Sequence, residues 1–283
     1  MSTPPRLSLP DGARRVDIAV TRGSRAAIEM SPTDPVGTAV LVPGFTGSKE
    51  DFIALLEPLA QRGWRVIAFD QLGQWESTGP DDPGDYALEL LGADARDVVE
   101  WTGEAAGVHL VGHSLGGLVA RSAVLDAGAT SLASLTLLCS GPGALPPHLH
   151  GTIPALVAAL PDVPLTDIWV AKEAMDLASG WEPPSAEVHD FVRTRFCAAS
   201  PSGLREMGRI LLDARDRTAE LAAAGVTTHV VYGEFDDAWP LEEQDVMASA
   251  LGTTAHVIAG AAHSPAVDDP HATAALLDAL WRS

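Results

Sequence analysis

Gly112-His113-Ser114-Leu115-Gly116-Gly117 is the stretch that decides the fold. An apolar, strand-like run at residues 108–111 precedes it, and a helix-like run at residues 118–125 follows it. A serine on such a sharp turn must take a strained backbone conformation, and the flanking glycines let strand and helix approach closely. The turn lifts the hydroxyl above the sheet, so Ser114 is the first candidate for a nucleophile. The alternative is a serine that only caps the following helix.

Length and composition indicate a large globular protein. The 283 residues suffice for one large domain, or for a core with an inserted subdomain, and 46% apolar residues support a substantial core. No stretch reaches the roughly 18 consecutive apolar residues of a membrane helix. The first residues lack the basic and apolar segments of a secretory signal. We therefore expect a cytoplasmic protein without a membrane partner.

Net charge and cysteine content limit the classes of partner that the protein is expected to bind. The net charge of −20 favours solubility and repels phosphate backbones, so we expect no nucleic acid and no anionic membrane surface as partner. The expected partner is a small-molecule substrate. The sequence does not indicate the oligomeric state. The two cysteines, Cys139 and Cys197, have no histidine at metal-ligand spacing, so we expect neither a metal nor a disulfide.

Strand-like and helix-like segments alternate over most of the chain. This order predicts an α/β fold with a mostly parallel, doubly wound sheet covered by helices on both faces. The predicted strands are residues 16–20 and 26–30, which form a hairpin, followed by 38–42, 64–69, 108–111, 134–139, 228–232 and 255–258. The predicted helices of the core are residues 51–61, 87–104, 118–125, 242–251 and 270–281.

The alternation stops in the middle of the chain. Between residues 140 and 225 the sequence is rich in proline and in helix-like pieces, with no obvious strand. A helical insertion at this point is well placed to cover the carboxyl ends of the strands, where open sheets bind ligands. We predict an α/β core of residues 1–140 and 226–283, with a helical cap and return helices at 141–225. The alternative is that these helices only extend the core.

A serine nucleophile needs a base, and the base needs a carboxylate to orient it. Of the nine histidines, His263 is the best candidate, because it lies in a small-residue loop after the last strand and before the final helix. The loop after strand 228–232 offers Glu234, Asp236 and Asp237. Loop acids are often turn formers, so the residues alone do not choose between the two aspartates. The chain order of serine, aspartate and histidine is the order expected for α/β-hydrolases.

On these motifs the chain resembles the α/β-hydrolase superfamily, in its form with a helical cap, from about residue 14 to residue 282. The resemblance implies that Asp236 is the acid, because it stands between Gly233 and Pro240 as in the family's loop. It also implies an oxyanion loop at residues 42–48 that places the backbone N–H of Phe45 beside that of Leu115.

The chain departs from the family pattern at three positions. Pro43 replaces a histidine that usually precedes the glycine of the oxyanion loop. In the family segment at residues 70–77, Leu72 and Trp75 replace an arginine and a glycine. The serine nucleophile argues against the dehalogenase and epoxide-hydrolase chemistry of this family, which proceeds through an aspartyl ester.

The resulting hypothesis is a serine hydrolase, similar to esterases, that transfers an acyl group to water. Ser114 attacks, His263 moves the proton, Asp236 holds the imidazole, and the Phe45 and Leu115 amides stabilise the oxyanion. No cofactor is required. The enzymatic alternatives are hydrolysis of a lactone, a thioester or a C–C bond, or acyl transfer to another acceptor. A non-catalytic ligand-binding protein of the same fold is the alternative from a different class.

Aromatic residues in the expected site loops and cap suggest a small, apolar substrate. Most of these residues are equally typical of a core. The residues predicted to contact the substrate are Phe45, Trp75, Trp169 and Trp239, and further candidates are Phe235, Trp181, Phe191 and Phe196.

Overall fold

An eight-stranded sheet runs through the computed structural model, which describes residues 2–104, 107–128, 132–178, 180 and 182–283. The strands are β1 (Arg14–Val20), β2 (Gly23–Met30), β3 (Gly37–Val42), β4 (Trp64–Phe69), β5 (Val108–His113), β6 (Leu132–Leu138), β7 (Thr228–Gly233) and β8 (Ala255–Ile258). Their order in the sheet is β1-β2-β4-β3-β5-β6-β7-β8. Pairing is antiparallel for β1 with β2 and β2 with β4, and parallel between all other neighbours. The predicted hairpin and mostly parallel sheet are confirmed.

Helices connect the parallel strands and pack in pairs. Within the described residues the α-helices are α1 (Ile53–Ala60), α2 (Leu88–Trp101), α3 (Leu115–Leu125), α4 (Ile153–Ala159), α5 (Leu165–Ala178), α6 (Ala186–Ala198), α7 (Pro201–Asp213), α8 (Thr218–Ala224), α9 (Leu241–Ala250), α10 (Pro265–Asp268) and α11 (Pro270–Trp281). Helix α1 packs against α11, and α2 packs against α3. None of the helices in the described part of the chain is long and apolar enough to cross a membrane.

Two strands inside the sheet are buried on both faces. Every residue of β5 and of β7 is buried, although successive side chains of a strand point to opposite faces. Covered faces on both sides are the usual condition of a parallel sheet, because its crossover helices lie on both. This burial explains why these strands read in the sequence as short apolar runs without alternation.

Helices α4 to α8 lie within residues 141–225, which we call the cap segment. The segment has an apolar cluster of its own, which we call the cap cluster and which is distinct from the main core. The half-buried side chain of Phe45 packs against both. The buried members of the cap cluster are Leu160, Leu165, Trp169, Val188, Val192, Phe196 and Leu204. A covering role over the sheet edge stays a prediction.

The cap segment contacts the loop that follows β4. The backbone N–H of Ser200 donates to the carbonyl of Gly73 at 2.8 Å, and Ser202 Oγ donates to the carbonyl of Asp81 at 2.8 Å. The start of α7 therefore contacts the loop after β4, which contains Leu72 and Trp75.

Candidate active site

The turn between β5 and α3 has the strained geometry that the sequence predicts. Ser114 has φ 55° and ψ −122°, a backbone conformation that residues other than glycine rarely adopt. Its backbone N–H donates to the carbonyl of Leu138 on the neighbouring strand at 2.9 Å. Strain of this kind costs about 1–3 kcal/mol and persists only where the surroundings enforce it.

Glycines around this turn allow the backbone to approach closely. A Cβ on Gly112 would lie 2.2 Å from the carbonyl oxygen of Gly116, and a Cβ on Gly116 would lie 2.3 Å from that of Val42. A Cβ on Gly44, in the predicted oxyanion loop, would lie 3.0 Å from the Cβ of Ser114. The strained serine and the loop after β3 are therefore in close contact.

His263 and Asp236 form a hydrogen bond. The distance between His263 Nδ1 and Asp236 Oδ1 is 2.7 Å, and the Asp236 side chain is fully buried. Asp236 follows β7 and His263 follows β8, so both lie at the carboxyl edge of the parallel strands, as does Ser114. Asp237, the alternative acid, is exposed.

The Asp236 carboxylate has further donors. Gln244 Nε2 donates to Oδ2 at 2.9 Å, and the backbone N–H of Ala238 donates to Oδ1 at 3.1 Å. Burial raises the pKa of Asp236, but the hydrogen bonds from His263 and Gln244 outweigh it and leave this pKa below its ordinary value. The group is therefore held ionised beside the imidazole. Sequence reasoning missed Gln244, because a glutamine within a helix carries no distinguishing signal.

His113 joins the histidine loop to the serine turn. Its Nε2 lies 2.6 Å from the backbone carbonyl oxygen of His263, which can only accept, so the His113 ring donates. Burial, reinforced by the neighbouring His263, lowers the pKa of His113 to about 3, so the ring is neutral. The sequence places His113 beside Ser114 but gives no sign of this contact.

Two glutamines hold the predicted oxyanion loop. Gln71 Nε2 donates to the carbonyl of Pro43 at 2.8 Å, and Gln74 Nε2 donates to that of Gly44 at 2.9 Å. Neither the backbone N–H of Phe45 nor that of Leu115 donates to an acceptor within the described part of the chain. Leu115 is the first residue of α3, where backbone N–H groups lack partners inside the helix. Neither amide is therefore committed to another acceptor among the described residues, and their role as oxyanion donors stays a prediction.

The side chains of Phe45 and Trp75 lie between core and cap segment. Phe45 is half-buried and packs against both apolar clusters. Trp75 has φ 40° and packs edge-on against the ring of Phe191 at a centroid distance of 5.5 Å. Phe45 belongs to the predicted oxyanion loop, and Trp75 directly follows Gln74, which donates to that loop.

The structure buries the other two predicted substrate contacts in apolar clusters. Trp239 is 1% exposed within the main core, and its Nε1 donates to the carbonyl of Gly143 at 3.2 Å. Trp169 is 4% exposed within the cap cluster, against the ring of Phe196. Trp169 also lines a cavity of about 410 Å³, together with Leu177 and His189. A substrate contact of Trp169 and of Trp239 stays a prediction. Phe235 is 63% exposed, and Trp181 lies outside the described residues.

A cysteine stands near the Asp236–His263 pair. One possible ligand atom each of Cys139, Asp236 and His263 lies within 4.8 Å of the others. Burial, followed by the charge of Asp236, raises the pKa of the Cys139 thiol well above its ordinary value. A thiol binds metal as the thiolate, so a protonated Cys139 is a poor ligand. Sequence spacing could not reveal this grouping, which joins three separate loops.

Known proteins share this fold and parts of this sequence. The chain belongs to the alpha/beta hydrolase family, whose profile matches residues 39–276. A non-heme haloperoxidase of Rhodococcus erythropolis is 29% identical over 225 residues, which cover 74% of this chain and 78% of that protein. A protein of Variovorax paradoxus named as a carbamate hydrolase is 40% identical over 103 residues, which cover 36% of this chain and 38% of the relative. The chain thus matches less than two thirds of that relative's length.

Solved structures share the same fold across nearly the whole chain. A thermophilic esterase from Thermogutta terrifontis superposes with a TM-score of 0.72 at 24% identity, covering 95% of this chain and 98% of the esterase. At this identity the likeness shows the α/β-hydrolase fold. The expected family is confirmed by the match of the family profile to residues 39–276.

Proposed function

We propose that this protein is a serine hydrolase that cleaves a carboxylic ester, or a related acyl bond, of a small, apolar substrate. The 2.7 Å hydrogen bond between His263 and Asp236, at the sheet edge that also carries the strained Ser114, is the observation that supports it most. A serine, an aspartate and a histidine in this chain order, on this fold, are the three side chains that activate a serine hydroxyl in α/β-hydrolases.

The proposed reaction begins at Ser114. The ionised Asp236 can only accept, so His263 carries its proton on Nδ1 and keeps Nε2 as the base. Nε2 takes the proton of the Ser114 hydroxyl while Oγ forms a bond to the carbonyl carbon, and the carbonyl π electrons move to oxygen. The backbone N–H groups of Phe45 and Leu115 donate to this oxyanion.

The intermediate then collapses in two stages. The carbonyl re-forms, the alcohol leaves with the proton from His263, and the acyl group stays on Ser114. Water attacks the acyl carbon with His263 as base, and the carboxylic acid departs as Ser114 recovers its proton. The protein's own groups suffice for each step.

A family likeness to esterases and other hydrolases supports a hydrolytic reaction, and the half-buried Phe45 supports an apolar acyl or alcohol group. Lactones, thioesters, C–C bonds and acceptors other than water all require the same three side chains. The bond type is therefore a matter for product identification.

A substrate panel tests the proposal. Purified protein is offered p-nitrophenyl esters of increasing chain length, a lactone and a thioester, and the products are identified by mass spectrometry. We expect ester turnover that Ser114→Ala lowers by about 10⁴ or more. Ser249→Ala, at an exposed serine on α9, is the matched control and should retain wild-type rates. Equal activity in Ser114→Ala and Ser249→Ala would contradict the proposal. Turnover of the lactone or the thioester alone would show that the enzyme cleaves that type of bond and not a carboxylic ester.

A further inference from the structure

A buried ion pair connects the cap segment to the oxyanion loop. Arg195 on α6 donates from one terminal nitrogen to Asp51 Oδ1 at 2.6 Å and to Ser48 Oγ at 3.1 Å. The other terminal nitrogen donates to the carbonyl of Ser2 at 2.7 Å. The exposed fractions of the Arg195 and Asp51 side chains are 1% and 4%. The pair joins residues 144 positions apart in the chain.

Asp51 lies directly against the oxyanion loop. Its Oδ2 accepts from the backbone N–H of Ser48 at 3.3 Å. A Cβ added to Gly47 would lie 2.5 Å from the same oxygen, so the loop passes over the carboxylate only because this position is glycine. Thr46, one residue earlier, has φ 59° and needs its neighbours to hold it in that conformation.

Arg195 balances the charge of Asp51. Burial raises the pKa of the Asp51 carboxyl, and the Arg195 guanidinium opposes that rise. In the described part of the chain, Arg195 is the ion-pair partner of Asp51, whereas Lys49, also buried, pairs with Glu50, Asp70 and Glu76. A buried carboxylate left without its partner must take up a proton or move towards water. Either change would release the contact that holds the loop.

Position 43, before the loop glycine, is a proline, which offers neither a backbone N–H nor a polar side chain to hold this end of the loop. The Arg195–Asp51 pair supplies support from the cap segment at the opposite end of the same loop. We propose that Arg195 is a positioning residue that acts through Asp51 and Ser48 to keep the backbone N–H of Phe45 directed at the oxyanion. This inference rests on the proposed serine hydrolase activity.

Kinetics of Arg195 variants test the inference. Arg195→Met removes the charge and retains most of the volume. We expect its kcat for a p-nitrophenyl ester to fall about tenfold or more, because a displaced oxyanion donor weakens transition-state binding, while KM stays within about threefold. Arg195→Lys, which keeps the charge, should recover part of the lost kcat. Arg193→Gln, at an exposed position of the same helix, is the matched control and should behave as the wild type.

A transition-state analogue gives a second readout. An alkyl trifluoromethyl ketone adds to the serine hydroxyl and places its oxyanion on the same donors, so its Ki in Arg195→Met should rise by the factor by which kcat/KM falls. A purely structural role would not couple these two quantities. An unchanged kcat in folded Arg195→Met, or a change confined to KM, would overturn the inference.

Two further outcomes are also decisive. If Arg195→Met does not fold, Arg195→Lys is compared with Arg193→Lys, and equal kcat values overturn the inference while a lower kcat at unchanged KM supports it. A wild-type chain that turns over no acyl substrate contradicts the proposed function itself, and the inference fails with it. If the wild type is active and the Arg195 variants behave like it, the inference about Arg195 is wrong and the proposed function is unaffected.

Discussion

The ring of His113 donates a hydrogen bond of 2.6 Å to the backbone carbonyl of His263, which connects the residue before Ser114 to the proposed base. The two rings lie 5.0 Å apart between centroids. Because His113 is buried and neutral, it holds the position of the His263 loop without competing for the proton in the proposed reaction. The relative placement of nucleophile and base thus depends on a group outside the three proposed catalytic side chains.

Loss of the hydrogen bond from His113 should lower kcat and have a smaller effect on KM. We expect His113→Leu to reduce kcat about tenfold and to destabilise the fold by about 1 kcal/mol, since the variant removes the donor of a part-buried hydrogen bond. His113→Asn, which retains an N–H donor, should recover part of both losses. Steady-state kinetics and thermal unfolding measure the two effects. A His113→Leu variant with wild-type kcat would show that the contact has no positioning role.

The two aspartates after β7 should differ strongly. Asp236→Asn should lower kcat by about 10⁴, because an amide can favour the wrong tautomer of His263. Asp237→Asn, at the exposed neighbour, should retain wild-type activity. Ester hydrolysis by both variants at equal folded concentration, checked by circular dichroism, decides between them. The reverse ranking would move the acid to Asp237.

The oxyanion loop can be tested through its backbone. Phe45→Pro removes one proposed N–H donor and should cost about 3–4 kcal/mol of transition-state stabilisation, or 10² to 10³ in rate. Phe45→Ala keeps the donor and should alter substrate preference more than the chemical step. If folded Phe45→Pro hydrolyses an ester as fast as Phe45→Ala, this loop does not bind the oxyanion.

Stability should fall in mild acid. Burial, and then the charge of nearby His229, lowers the pKa of His109 to about 4 from its ordinary 6.5. Between these two values the unfolded chain binds a proton that the folded chain does not, so the free energy of unfolding decreases as the pH falls through this window. The contribution of His109 is up to about 3 kcal/mol.

Urea unfolding at a series of pH values measures this effect. His109→Gln should show a shallower loss of stability between pH 6.5 and pH 4 than the wild type, because it lacks the titrating ring. His271→Gln, at an exposed histidine, should follow the wild-type slope. Identical slopes in the two variants would contradict the assignment.

The alternation of strand-like and helix-like segments was enough to predict a mostly parallel sheet with its hairpin, and the glycines around Ser114 were enough to predict the turn. Asp236 followed from its place in a family loop, and the structure pairs it with His263. The contacts of Arg195 with Asp51 could not be predicted, because they join separate segments that carry no shared local pattern. The sequence left open whether Trp239 is a core residue, and its hydrogen bond to the carbonyl of Gly143, 96 residues away, could not be predicted for the same reason.

Labelling with a fluorophosphonate tests the central claim most directly, because the probe forms a covalent bond only with an activated nucleophile. Peptide mass mapping of the labelled wild type should locate one phosphonyl group per chain, at Ser114. His263→Ala should slow labelling by orders of magnitude, and Ser249→Ala should leave it unchanged. Absence of label, or a label at any residue other than Ser114, would contradict the assignment of Ser114 as the nucleophile.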